Sequence, residues 1–253
     1  MAFPDGFTVT ELFGGVMLLV GGLVVAVSAR YVWRATAVVR ATDLDSLDNT
    51  DASTLVRVTG DVIQSDDDVL AAPFSSTDCV AIRYQIEERR LSVLYLLPWY
   101  VTVHEATGAV PFDLKTETGT ISVVEPTRTV ALTTDVVATT GFDEESPARI
   151  REFEQENTNV PLSTVWRDPP AIIRPLFRIF SLGTRRYGEQ RAAVGDELTV
   201  VGRVTNPGSG ITPLVIADRS PAGTVFRMAK TSIGGLLIGL SGLLLGVFLL
   251  IGT

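Results

Sequence analysis

The chain has 253 residues, of which 21 are basic and 29 acidic, for a net charge of −8. An acidic balance argues against a nucleic-acid surface, which needs clustered Lys and Arg to neutralise phosphates. Cys79 and His104 are the one cysteine and the one histidine, so an intramolecular disulfide is excluded, and no metal site or other cofactor is expected. Lys115 and Lys230 are the only lysines, so 19 of the basic residues are arginine. This lysine-poor, acidic composition reads as a halophile-like surface, on which salt screens the repulsion between carboxylates. An ordinary acidic protein is the competing reading.

Residues 12–29 are uncharged and strongly apolar. A bilayer core of about 30 Å needs roughly 20 such residues in a helix. With Arg30 snorkelling, the spacing predicts a transmembrane helix over 12–32. Asp5 and Glu11 stand where a signal peptide carries a basic segment, so the helix is expected to persist in the mature chain. Gly15, Gly22, Ala26 and Ala29 are expected to form its small-residue face. Residues 33–54, with Asp43, Asp45, Asp48 and Asp51 in a Ser/Thr/Asn setting, read as an acidic juxtamembrane linker.

A β domain is expected over 55–228. β-branched runs recur at 55–64, 79–87, 99–104, 120–124, 127–132, 197–204 and 214–217. Turn residues separate them, as at Asp66-Asp67-Asp68, Thr107-Gly108, Thr118-Gly119 and Asn206-Pro207-Gly208. Many short strands imply a partly open barrel or a sandwich. One short helix is expected at 148–156, with Ser146 as N-cap, Pro147 opening it, and Ile150 and Phe153 as a narrow apolar face. Its polar remainder suits a surface helix across one mouth of the β domain.

Few side chains here suggest chemistry. His104 beside Glu105 could serve as a general base, yet no local motif marks a nucleophile, and a packing role is the simpler reading. Cys79 opens a strand, where an inert buried thiol is the common case. Asp66 to Asp68 lacks the spaced ligands of a calcium loop and reads as a solvated turn. Residues 91–100 and 172–182 are apolar but too short to span. Leu96, Trp99, Tyr100, Phe177 and Phe180, with Arg174 and Arg178 nearby, fit a segment resting among lipid headgroups. Core strands or a buried helix are the equal alternative.

A second transmembrane helix is expected over 231–252. Gly235, Gly239, Gly242 and Gly246 fall on one face, and two of their intervals are GxxxG. The two helices are therefore expected to pack as an antiparallel pair within one chain, with dimerisation through the second as the alternative. Arg30, Arg34 and Arg40 follow the first helix, and Arg219, Arg227 and Lys230 precede the second. By the positive-inside tendency the central domain is expected to be cytoplasmic, in a cell-membrane protein with two spans.

Four passages together resemble the GIDE-type, or beside-a-membrane, domain of membrane-anchored RING-type E3 ubiquitin ligases. Val58-Thr59-Gly60-Asp61-Val62 is similar to its opening strand. Leu70-Ala71-Ala72-Pro73-Phe74-Ser75, then Cys79 to Glu88 with Arg83-Tyr84, look like its proline-serine turn and following strand. Pro111-Phe112-Asp113-Leu114 and Gly119-Thr120-Ile121 look like its hairpin. Arg185-Arg186-Tyr187-Gly188-Glu189-Gln190, leading to Gly195-Asp196, completes the match over 55–205. The resemblance implies ubiquitin transfer through a zinc-binding RING. With a single Cys and a single His that module is absent from these residues, so ligase activity by this chain alone is not expected. The motif residues are read mainly as structural: Gly195 in an unusual turn conformation, Asp196 bonding its own turn, and Glu189 pairing with an arginine. The expected function is a binding or scaffolding module at the membrane, with the lipid bilayer and an unidentified protein as partners. Half of a split ligase, a hydrolase, and an accessory subunit of a membrane protease or pore are the alternatives.

Overall fold

The computed structural model describes residues 9–47, 50–65, 69–92, 97–124, 126–127, 129–206, 210–218 and 221–251. The elements follow as helix α1 (Val9–Arg40), strands β1 (Thr42–Asp43), β2 (Leu55–Ile63), β3 (Leu70–Ala71), β4 (Asp78–Cys79), β5 (Ala81–Leu91), β6 (Pro98–Ala109), β7 (Phe112–Lys115), β8 (Thr120–Val123), β9 (Val130–Ala131) and β10 (Asp135–Thr140), then helix α2 (Ala148–Glu156). A 3₁₀ turn (Ala171–Ile173) runs into helix α3 (Arg174–Phe180), followed by β11 (Arg185–Ala192), β12 (Glu197–Asn206), β13 (Gly210–Ala217) and helix α4 (Pro221–Ile251). The fold is mostly β. It divides into a helical unit containing α1 and α4, and a β unit over Asp43–Asp218.

In the helical unit, Val9–Arg30 and Ile233–Ile251 are long and apolar enough to cross a membrane, with mean hydropathies of 2.3 and 2.4. Only 17% and 11% of these windows is buried, unlike the core helix of a water-soluble domain. The helices pack antiparallel: Gly14 meets Gly246 and Leu250, Gly21 meets Gly239 and Leu243, and Ser28 meets Gly235. The expected glycine face of α4 is the one in contact. On α1 the expectation was one residue out of phase. A Cβ on Gly21 would lie 2.9 Å from the Gly239 carbonyl oxygen, whereas one on Gly15 would have nothing within 4 Å. Gly22 barely reaches Leu243, and Ala26 and Ala29 are exposed. Gly14-Gly15 and Gly21-Gly22 offer two small stripes about 100° apart, and only the partner helix selects between them.

The β unit begins at Asp43, ahead of the expected Leu55. Leu47 is buried in the main core, the Leu44 N–H donates to the Arg57 carbonyl at 3.0 Å, and Asp43 pairs with Arg57. That pairing holds the Asp43 carboxyl below its usual range, chiefly through the hydrogen bond from Arg57. Two isolated leucines provide no period from which to read this packing.

Seven strands form the larger sheet in the order β1-β2-β12-β13-β8-β7, with β9 beside β13. β2 pairs with β12 over Leu55 to Asp61 and with β7 over Asp61 to Ile63, so the sheet curls on itself. Gly60 sits where β2 changes partner. A Cβ there would lie 2.5 Å from the Lys115 carbonyl oxygen, so only glycine permits the approach. β13 and β8 share just two register positions, and the sheet stays open rather than forming a closed barrel. Alternation drives Val56, Val58 and Val62 inward against Phe112, Leu114, Ile121, Val200 and Ile216.

The smaller sheet has the order β10-β11-β5-β6 and is antiparallel throughout. Thr107-Gly108, expected as a turn, pairs with Arg83 and Ile82 inside β6. β10 and β11 lie in stretches that polar residues and Gly188 deprive of an apolar period. The run expected at 127–132 narrows to β9. α2 has its expected bounds and buries Ile150, but Pro147 is its N-cap, and the Ser146 hydroxyl instead lies 3.3 Å from that of Tyr187. It covers a face of the smaller sheet, through Ile150 and Phe153 against Phe74, Ile86 and Tyr187, rather than a barrel mouth. α3 is a second short helix beyond the one expected. The Asp66-Asp67-Asp68 turn, Asp48, Leu96, Pro207-Gly208 and Arg219 lie outside the described residues.

Candidate functional site

Residues on β11 alternate between the two faces of the sheet, sending Arg185, Tyr187 and Glu189 under α2 and Arg186 to the opposite side. Register places Arg185 opposite Glu88, Tyr187 opposite Ile86 and Glu189 opposite Tyr84. Arg185 is 1% exposed. Its Nε donates to Glu88 at 3.1 Å, Nη1 to Glu154 of α2 at 2.6 Å, and Nη2 to the Pro161 carbonyl at 2.6 Å. The Tyr187 hydroxyl donates to Glu154 at 2.9 Å, the Thr164 hydroxyl to Glu88 at 3.1 Å, and Arg90 to Glu88 at 2.9 Å. Two arginines thus face two carboxylates, and the charges balance. Burial alone would lower the Arg185 guanidinium, but the hydrogen bond and charge of Glu154, with the charge of Glu88, reverse this and keep it ionised. Burial pushes the Tyr187 phenol up, so it remains a donor. Glu88 closes the Cys79 to Glu88 passage without being singled out there, and Glu154 carries no motif. The available signal was the i, i+4 spacing of Ile150 and Glu154, which puts the carboxylate on the apolar face of α2.

Glu189 builds the second cluster. Its Oε1 accepts from the backbone N–H groups of Phe74 at 2.6 Å and Ser75 at 3.2 Å, so it ties the turn after Pro73 to the sheet. The expected arginine partner contributes less: Arg191 Nε is 3.7 Å from Oε2, which is buried without a hydrogen bond. Arg149 of α2 secures the same turn through the Pro73 carbonyl at 2.8 Å. The thiol of Cys79 is fully buried, donates to the Leu70 carbonyl at 3.3 Å, and is pushed up to about 11 by burial and then by the charge of Glu189. Burial and this shift both fit the unreactive thiol expected.

The other motif residues have structural positions. Arg83 pairs with Glu105 at 3.0 Å, and Tyr84 packs edge-on against Phe74 and Phe153. Phe112 is buried in the main core, while Gly119 closes the β7 to β8 hairpin by donating to the Thr116 hydroxyl. Gly195 has a φ of +91°, and Asp196 accepts from the Ala193 N–H at 2.8 Å, both as expected. Arg186 lies 3.8 Å over the Tyr100 ring. His104 sits beside Tyr84 and Phe153, with Asn157 3.4 Å away, and burial pushes its pKa down. Its place between these two rings is a packing role.

The segments flanking the two apolar stretches, separate in sequence, are bonded to each other at one end of the smaller sheet. The Gly183 N–H donates to the Arg89 carbonyl and the Arg89 N–H to the Thr184 carbonyl, each at 2.8 Å, while Trp99 pairs with Arg90. Phe177 is the buried foot of α3, stacked on Trp166 with a 5.7 Å centroid separation and edge-on to Phe142. On the described parts of these stretches and in the 161–166 loop, Leu97, Trp99, Leu162, Val165, Ile172, Leu176, Ile179 and Phe180 are exposed.

The arrangement is a mostly β unit flanked by two helices able to cross a membrane, with a charged cluster turned inward. No protein-family model matches the chain, and neither does any curated protein or solved structure.

Proposed function

We propose that the chain is a membrane-anchored binding or scaffolding module, built on a GIDE-type domain held at the cytoplasmic face of a membrane. One observation carries this reading: Arg185, Tyr187 and Glu189, which stand out most in the sequence, are consumed by internal partners. Side chains so engaged support a fold rather than a reaction, and such a domain works through its surface. Tethering beside a membrane raises the effective concentration of whatever that surface holds. The arginines flanking both spans support the cytoplasmic orientation. The lysine-poor, acidic composition supports a working environment of high salt.

Two measurements test the reading. In sealed vesicles of known orientation, protease added from the cytoplasmic side should digest the β unit; digestion only from the opposite side would reverse the topology. Full-length chain purified in high salt should bring down a protein in fixed ratio, without zinc and without ubiquitin transfer in a reconstituted reaction. Zinc in that complex together with ubiquitin transfer would instead establish half of a split ligase.

A further inference from the structure

We infer that the end of the smaller sheet formed by the paired ends of β5 and β6 (Arg89 to Leu91 with Pro98 to Tyr100), the 161–166 loop and α3 is a second membrane contact, docking on an anionic lipid surface. This rests on the membrane-anchored reading. Three segments far apart in sequence are brought to this end by specific bonds: Gly183 to Arg89, Thr164 to Glu88, and Pro161 to Arg185. They carry outward-facing apolar side chains that no core claims. Ile172 is 89% exposed, Ile179 75% and Val165 72%, whereas Phe177, on the same helix as Ile179, is 4% exposed. α3 therefore has one face fixed to the β unit and another in solvent.

The chemistry around these residues selects lipid as the occupant. Among the described residues of 89–92, 97–100 and 161–182 there are five arginines (Arg89, Arg90, Arg167, Arg174 and Arg178), against three acids paired with them, Asp168 within these segments and Glu88 and Asp143 beside them, in a chain whose net charge is −8. The local charge is thus opposite to that of the whole chain and complementary to anionic headgroups. Arg174 and Arg178 keep side-chain exposures of 52% and 69% and pair with Asp168 and Asp143 at 3.7 and 3.1 Å. Exposed pairs of this kind contribute little to stability, so exchange for a phosphate costs little. Trp99 and Tyr100 add amphipathic rings of the type found at headgroup level. Connection to a membrane span at each end of the β unit keeps a bilayer within reach, so each apolar contact needs to contribute only weakly.

The test uses the full-length chain in vesicles of phosphatidylcholine with about 30% phosphatidylglycerol, which supplies the anionic surface. A fluorophore is attached at Ile172→Cys or Ile179→Cys, and at Val194→Cys as an exposed control elsewhere in the β unit. Cys79, being buried, stays unlabelled. Spin-labelled lipid should quench the first two probes at least about twofold more than the third, and the excess should shrink in pure phosphatidylcholine. Equal quenching at Ile172, Ile179 and Val194, with a probe at Val20→Cys in α1 strongly quenched, would overturn the docking while leaving the anchors in place. An unquenched Val20 probe would overturn both. Shielding of the Ile172 probe from aqueous iodide in detergent without lipid, or crosslinking between copies there, would assign the surface to protein and also overturn the proposal.

Discussion

Around the larger sheet the buried side chains include Val56, Val58, Val62, Leu114, Ile121, Val200 and Ile216, a mainly aliphatic core supplied by alternation and joined by Phe112. Beneath α2 the smaller sheet buries Arg185, Glu88 and Glu154 beside Tyr187 and Ile86. The two cores make different demands on sequence. Aliphatic positions accept several residues of similar volume, whereas a buried guanidinium requires particular acceptors at particular distances. Residues that look like a motif therefore gather in the smaller sheet for structural reasons. The difference teaches that a conspicuous charged sequence can mark the most exacting packing in a domain rather than its chemistry.

The strongest way to break this comparison is Arg185→Ala, which leaves Glu154 buried without a cation and Glu88 with Arg90 alone. A loss of about 3–5 kcal/mol is expected in denaturant unfolding of the full chain in detergent. Arg185→Met combined with Glu88→Leu and Glu154→Leu should recover most of that loss. Recovery would show that the site needs balance rather than charge, and a triple variant as unstable as Arg185→Ala would show that the cluster does more than pack. In the larger sheet, Leu114→Ala should cost about 2–5 kcal/mol with no such rescue by a charge-free partner change.

The helical pair gives the next effect. Gly21→Ile would drive side chain into the α4 backbone and should cost about 1–3 kcal/mol by overpacking, whereas Gly15→Ile should be silent. Fluorescence transfer between labels on α1 and α4 separates the two, and equal responses would contradict the observed helix face. Glu189→Gln keeps one acceptor for the Phe74 and Ser75 N–H groups but loses the charge, and should cost about 1–2 kcal/mol in the same unfolding measurement. The smallest effect concerns Cys79. Its thiol rises from an ordinary value of 9.0 to about 11 in the folded chain, so its contribution to stability is intact below 9 and is lost as pH rises through about 11. Alkylation by iodoacetamide should accordingly be negligible at pH 8 unless the chain is unfolded; rapid labelling of folded protein would show that the site opens.

Much of this architecture was legible in one dimension. The two helices long and apolar enough to cross a membrane follow from length and apolarity, α2 from its Ser-Pro opening and apolar pair, and β2 and β12 from alternating valines. Gly195, Asp196 and the glycine face of α4 behave as their local chemistry requires. Other features were hidden for identifiable reasons. Leu47 joins the core from a stretch with no period, β11 replaces apolar alternation with buried charge, and Glu154, though spaced i, i+4 from Ile150, shows its partner Arg185 only once β11 is placed beneath α2. Ser146 looks like a cap until Tyr187 is placed beside it.

What the sequence by itself determined is therefore local: helix and strand periods, turn conformations, and the lipid-compatible length of the two ends. Periods of 3.6 and 2 residues come from backbone geometry and survive without knowledge of any partner. The tertiary structure alone decided which of two adjacent small-residue stripes on α1 meets α4, which carboxylates hold Arg185, and that the segments flanking the two apolar stretches are bonded to each other at one end of a sheet. Glu88 and Arg185 are 97 residues apart in the chain, and only the β5 to β11 register brings them within 3.1 Å. Register depends on the summed packing of whole faces, which no single segment contains.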